Sequence, residues 1–504
     1  MKNKEWIIFA AILIVGIIVH SIGRFEKPFW LAYTLGKYSG SAIVYNEDKT
    51  ILAAPNCMLE VIDNIGDVNI KGYEGNQMLI HWKKMLFNTN KLNADKIIKE
   101  LNLNVQQEVN LIKVSTNSLT IEKKYGIGIK NNFEIFIPNK CSLRVINRMG
   151  EVQVAEVASK AYIENSYGDV VISDVGDDVI VSASFGSAVL KDISGMIKIN
   201  SEYTNLDIKN VNNLVVLESK YSKIRVADLK DGLSANSKFG FIDGKNIEGV
   251  VEINGRHIDL NLEQIDKLVK LNVSFSDVKV YDAKNDVEIE SKHSPIKIAN
   301  VSGKVFVQGS HKDIEVQNIG GWCKIIGEHS LINVSNLHTG LYLRNSFEDV
   351  SLENIIGASD IENHHSDVSI KLTEINYFRF NVNAQYGNVK IVLPSDDFTL
   401  EGYAYKGEIK SKYSDDFLFI EKKDDSYWAH TIDQINESRF VKIKSYYGDI
   451  IIEKKSSAIV WLEKRIMLIQ KFVKNNVERV QIYLERTLLN KILLMIYKLL
   501  INLY

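Results

Sequence analysis

The sequence predicts an all-β, single-chain β-solenoid, and three periodic columns carry that reading. First, an aromatic or histidine residue recurs every 18 positions: Tyr167, Phe185, Tyr203, Tyr221, Phe239, His257, Phe275, His293, His311, His329, Phe347 and His365, with Met149 one step upstream. Second, counting each coil from that residue as position 0, position +3 is aliphatic in all twelve coils, and +5 and +8 in eleven of twelve, Gly244 and Thr373 being the exceptions. Third, position +7 is Asp, Asn or Gln from Asp174 to Asn354. A fixed period over so many repeats is the mark of stacked coils, each too small to fold alone.

The alternation of apolar residues at +3, +5, +12 and +14 predicts two short strands per coil, near +3 to +8 and +12 to +16. The Asx column marks a turn, because those side chains satisfy nearby backbone groups and tolerate left-handed angles. Stacked, they can also hydrogen-bond from coil to coil. Position +16 is mostly small, as in Ser201, Ser219, Ser237 and Gly255, which suits a crowded inward corner. A hexapeptide β-helix needs an aliphatic residue every six positions; this chain does not supply them. A flattened, two-sided solenoid of about 13 coils over residues 149–382 is expected, with its handedness left open.

Around this array the segments read in order. Residues 1–23 contain Trp6 to Ile22, about 17 residues without a full charge. That is the short end of a transmembrane helix. Lys2 and Lys4 favour a cytoplasmic N-terminus. A cleaved signal peptide is the rival, though Ser21-Ile22-Gly23 is a poor cleavage site. Residues 24–56 read as a linker. Residues 57–148 read as the N-terminal cap, with an isolated copy of the repeat at 59–70 and a short helix over 94–103. Residues 383–455 hold later copies at Tyr386-Gly387 and Tyr447-Gly448, out of strict register. Residues 456–504 change character, with apolar positions at helical spacing from Leu462 to Leu499 and a net charge of +5 between Ala458 and Tyr504. This basic amphipathic helix fits an anionic membrane surface, a partner helix or the solenoid flank, or a non-native tail.

At 504 residues with a net charge of −2, the whole chain implies no electrostatic attraction to nucleic acid, and no nucleic-acid-binding module is present. Cys57, Cys141 and Cys323 form no CxxC, and their odd number excludes a full disulfide framework. Cys323 falls in a core column. No catalytic signature and no cofactor fingerprint occurs.

Two columns could bind metal. His293, His311 and His329 occupy position 0 in consecutive coils. Histidine ligates metals, yet the same column accepts Tyr and Phe, so a stacking ladder explains all twelve residues and metal only three. Asp259/Asp277 and Asp349/Asp367 at position +2 are pairs one coil apart. Paired carboxylates suit Ca²⁺ or glycoside chemistry, but they are also ordinary turn residues.

Leu59, Val61, Gly66, Asp67, Val68 and Ile70, then Phe133, Ile135, Ile137 and Pro138, then serial Tyr/Phe-Gly-Asp-Val units, resemble the bacterial putative-adhesin family of unknown function. The resemblance covers about 57–455. It implies a β-solenoid that follows a membrane anchor, and it brings no catalytic motif. The expectation is therefore a non-enzymatic, single-pass protein of the bacterial cytoplasmic membrane with an extracytoplasmic solenoid. It would bind envelope polymers or a protein partner, or act as a spacer. A self-assembling envelope scaffold is the alternative, and a glycan-cleaving β-helix enzyme stands third.

Overall fold

The structure is a computed structural model that describes residues 37–455, apart from residues 39, 55, 373–376, 394–396 and 433–435. The apolar segment 6–22 and the amphipathic segment 456–504 lie outside the described residues. Among the described residues no helix is long and apolar enough to cross a membrane. The chain divides into two units, 1–314 and 315–504.

In the first unit, coils stack in parallel with no slip. Val170 pairs with Ala188, Ala188 with Leu206, Leu206 with Ile224, and so on to Val278 with Ile296. The step is always 18, so a residue's neighbour in the next coil occupies the same position in the repeat. Positions +3, +5, +8, +12 and +14 point inward: Val170, Ile172, Val175, Val179 and Val181 are all buried. Gly244 breaks the +5 column without leaving a void. A Cβ there would lie 2.9 Å from the Leu262 side chain, which already fills the space. Gly255 makes room in the same way for the buried Ile258.

Each coil turns on two left-handed residues. One is the predicted Asx at +7, from Asp174 (φ 55°) to Asn300 (φ 60°). The other is the ring residue itself: Phe185, Tyr203, Tyr221, Phe239, His257, Phe275, His293 and His311 have φ between 54° and 65°. In the earlier coils Gly150 (φ 130°) and Gly168 (φ 140°) take the positive φ instead. A bulky residue held left-handed costs about 1–2 kcal/mol. Two gains offset that cost. The backbone N–H of position 0 donates to the next coil, as Tyr221 to the Lys238 carbonyl at 2.9 Å. The rings also stack, with centroids 4.6 to 5.1 Å apart from Tyr167 to His311. Each aromatic pair is worth ~0.5–1.5 kcal/mol.

The N-terminal end is closed out of chain order. The strands are β1 (Ile43–Leu52), β2 (Met58–Ile62), β3 (Val68–Tyr73), β4 (Gln77–Phe87), β5 (Leu103–Gln107), β6 (Leu111–Thr116), β7 (Gly128–Pro138), β8 (Ser142–Met149) and β9 (Val152–Val157). The repeat copy at 59–70 is not isolated. It forms β2 and β3, which lie in parallel between β6 and β7 on one side and β8 and β9 on the other. Antiparallel strands then finish each edge: β5 on β6, and β4 on β7 with β1 outside it. That reversal prevents further parallel stacking, a recognised way to blunt an open edge.

Two expectations change here, and one element is new. Residues 43–52 are a strand, not linker. The helix spans Lys91–Ile97, not 94–103, because the Asn90 side chain accepts the Asn93 N–H at 2.9 Å and starts it early. A second helix, Ser118–Tyr125, was not legible in the apolar spacing.

Cys57 and Cys141 are joined by a disulfide, with Cα atoms 4.6 Å apart and 84 positions between them in sequence. They directly precede the paired residues Met58 and Ser142. The bridge thus ties the first coil to the next across the whole inserted cap. Cysteine spacing alone does not predict it.

In the second unit the same coil recurs. Ile332 pairs with Val350 and Val350 with Val368. Cys323 is a buried free thiol, as its column implies, and burial pushes its pKa above the usual thiol range. The last coil is again out of order. Strands Arg439–Tyr446 and Ile450–Lys454 lie between strands 378–393 and strands 399–411. Strand Ser426–Thr431 runs antiparallel on Thr399–Tyr405, and Leu418–Lys423 is antiparallel on that.

Two measurements check these points. Phe239→Ala loses both stacking contacts but keeps the left-handed backbone, so urea unfolding should show a loss of ~1–3 kcal/mol. Phe239→Gly should lose about 1 kcal/mol less, the reverse of the usual Ala–Gly order. Cys57→Ser/Cys141→Ser should lower stability by ~2–4 kcal/mol, read as a lower thermal midpoint that reductant also produces in the wild type.

Candidate functional site

The coils present their outward side chains as columns, so each candidate residue is placed by its column. His293 and His311 stack with centroids 4.6 Å apart and planes 30° apart. Two nitrogens on one ion lie at most about 4.2 Å apart when each bond is ~2.1 Å. Stacked rings aim their in-plane lone pairs alongside each other rather than at a shared point. His329 belongs to the second unit, where it stacks on Phe347 at 4.4 Å. This geometry is that of a ladder, and among the described residues no three His, Cys, Asp or Glu are placed to hold a metal.

The aspartate pairs are brought together as the spacing requires, but they face backbone. The Asp259 Oδ1 accepts the Asp277 N–H at 3.3 Å, and the Asp277 carboxylate ion-pairs with Lys279 at 3.1 Å. The Asp349 Oδ1 accepts the Asp367 N–H at 2.9 Å, and the Asp367 Oδ1 accepts the Asn388 N–H at 2.8 Å. These carboxylates rivet one coil to the next. The Asx column does likewise: the Asn246 amide donates to Asp228 at 2.7 Å, and the Asn300 amide to Asp282 at 2.8 Å.

In the first unit the aromatic ladder is exposed along its edge, from 38% at Phe185 to 43% at Phe239 and Phe275. Its ring faces are covered by their neighbours. Only ring edges and the Tyr hydroxyls meet solvent, so the stacked rings are no platform for a sugar or base lying flat.

Two features escaped the column reading. One is a buried polar cluster in the cap. The Trp82 indole N–H donates to Asn131 at 3.1 Å, and the Asn131 amide donates to Asp63 at 2.9 Å. Glu122 accepts the Tyr38 hydroxyl and the Ile129 N–H, both at 2.6 Å. Burial raises the Asp63 pKa from 3.8 to about 7, opposed by the Asn131 and Asn64 hydrogen bonds. Burial also raises that of Glu122. The signal was in register: Asp63 occupies the inward +16 column, directly before Asn147 and Asn165, where polar residues are confined.

The other is a groove of about 630 Å³ in the first unit, along positions +15 to +17 of the coils from Asn200 to Arg256. Its rim carries Lys220, Lys238 and Arg256, one per coil. Reading position +17 down the repeat would have found them.

Fold and columns together define an all-β, single-chain β-solenoid repeat protein. No family model matches the chain, and no curated protein matches it by sequence. Among solved structures, a putative cell adhesion protein from Clostridium sporogenes matches over 82% of this chain and 100% of its own, at 9% identity and a TM-score of 0.13. At that score the likeness carries no argument.

The Asp63 cluster predicts a pH dependence. Between about pH 4 and pH 7 the folded chain holds a proton that the unfolded chain has released. Stability therefore falls as pH rises through that window and levels off above it. Asp63→Asn keeps the acceptor without the charge. It should raise stability at pH 8 by on the order of 1–4 kcal/mol, and by little at pH 4, in paired denaturant titrations.

Proposed function

We propose that this protein is a non-enzymatic, membrane-anchored β-solenoid that serves as an adhesin-like binding module or spacer on the outer side of a bacterial cytoplasmic membrane. The observation that carries the reading is the set of outward columns, each repeating one side chain per strand spacing of ~4.8 Å. Such columns present many equivalent weak contacts in a row, and weak contacts in a row bind strongly. The anchor rests on the apolar segment Trp6 to Ile22 and the lysines before it. The Cys57–Cys141 bridge supports an oxidising compartment. Partners on this reading are envelope polymers or another protein. Both sets of reversed end strands favour it over an end-to-end scaffold.

Protease added to intact cells that carry a C-terminal tag, followed by carbonate extraction, tests the placement. Cleavage from outside with the remainder retained in the membrane is expected. Protection until the membrane is opened would overturn the surface reading and make an intracellular scaffold the first choice.

A further inference from the structure

We infer that Lys220, Lys238 and Arg256 form a docking track for a linear acidic polysaccharide, an inference that rests on the surface-binding reading above. The three cations are exposed and lie in register on consecutive coils, Lys220 opposite Lys238 and Lys238 opposite Arg256. Beyond Ser274 the column resumes with Lys292. Like charges opposed on neighbouring strands destabilise a sheet. Elsewhere in this unit opposed lysines such as Lys191 and Lys209 are each ion-paired, with Asp192 at 3.3 Å and Asp228 at 3.6 Å, and other lysines face a carboxylate across the coils. Lys230 pairs with Glu248 on the next coil, Lys245 with Glu263 at 3.1 Å, and Lys284 with Asp266 at 2.8 Å. Among the described residues Lys220 and Lys238 make no ion pair, although Glu202 is the cross-strand neighbour of Lys220, and Arg256 lies over the Phe275 ring, 5.2 Å from its centroid.

A run of opposed cations without ion pairs beside a groove suits a partner that brings negative charge. The cations repeat at the strand spacing, ~4.8 Å, which is about the advance of one sugar in an extended pyranose chain. A carboxylate on each residue, or each second one, would meet a cation in turn. The exposed amides of Asn236 and Asn254 line the same groove and suit sugar hydroxyls. Glu202 and Glu218 also line it. Glu218 accepts the Asn236 amide at 3.1 Å, and Glu202 stands opposite Lys220 at the end of the track. The covered ring faces disfavour a nucleic acid, whose single strands need open aromatic faces for stacking.

The test uses the full-length protein in mild detergent, with polygalacturonate, neutral dextran and a single-stranded DNA oligonucleotide as ligands. Wild type should bind polygalacturonate, more weakly as salt rises, and should not bind dextran. K220Q/K238Q/R256Q should bind polygalacturonate at least tenfold more weakly, while K49Q/K99Q, which removes two cap lysines, should bind like wild type. Unchanged circular dichroism and thermal midpoint establish that the triple variant is folded. Three results overturn the track: equal binding by the folded triple variant, no binding of polygalacturonate by wild type, or tighter binding of the DNA with the same dependence on the three residues. If wild type and triple variant both still retain crude envelope material, the track fails and the surface-binding reading stands. If the protease experiment finds the chain inside the cell, that reading fails independently.

Discussion

Parallel stacking without slip is the constraint on which this structure depends. A coil of 18 residues places every side chain over its own counterpart, so each choice at one position is repeated as a column. A one-residue change in coil length would turn every inward aliphatic outward. The turns therefore cannot be loose. Each is set by a left-handed residue at +7 and another at position 0, and both are held from the neighbouring coil: the Asx amide by the Asx below, the ring by the ring below. Turn and stack thus stabilise each other. Neither would persist in an isolated coil, where the backbone entropy of 18 residues would dominate.

The same constraint decides what the surface can offer. Residues that look like ligands in a list of coordinating side chains become riveting groups once their columns are drawn. The histidines stack instead of converging, and the aspartates at +2 accept backbone N–H groups from the next coil. What remains outward and uncommitted is confined to a few columns, most conspicuously the cations at +17.

Much of this was legible in the sequence, for a physical reason. Repetition averages out local ambiguity: one Val at +3 says little, while twelve aliphatics at +3 exclude nearly every other fold. The inward set, the Asx turns, the ring ladder and the buried Cys323 all followed. The ends were not legible, because there each residue occurs once. Nothing in Leu59 to Ile70 shows that its neighbours in space are Leu111–Thr116 and Gly128–Pro138 as well as the coil that continues the array. The left-handed backbone at Phe and Tyr was missed for a different reason. Intrinsic preference argues against it, and only the neighbouring coils supply the compensation.

The order of the last strands has its own consequence. The final pair, Arg439–Tyr446 and Ile450–Lys454, is wedged between strands that precede it in the chain. A ribosome releasing this polypeptide delivers the keystone after the strands it separates. Until it arrives, the strands at 378–393 and 399–411 have an unfilled slot between them. A chain that stopped before Arg439 would therefore lose its internal seam, not merely its tip. A pull on the chain at Lys454 would meet strands gripped from both sides, so this part of the array resists peeling.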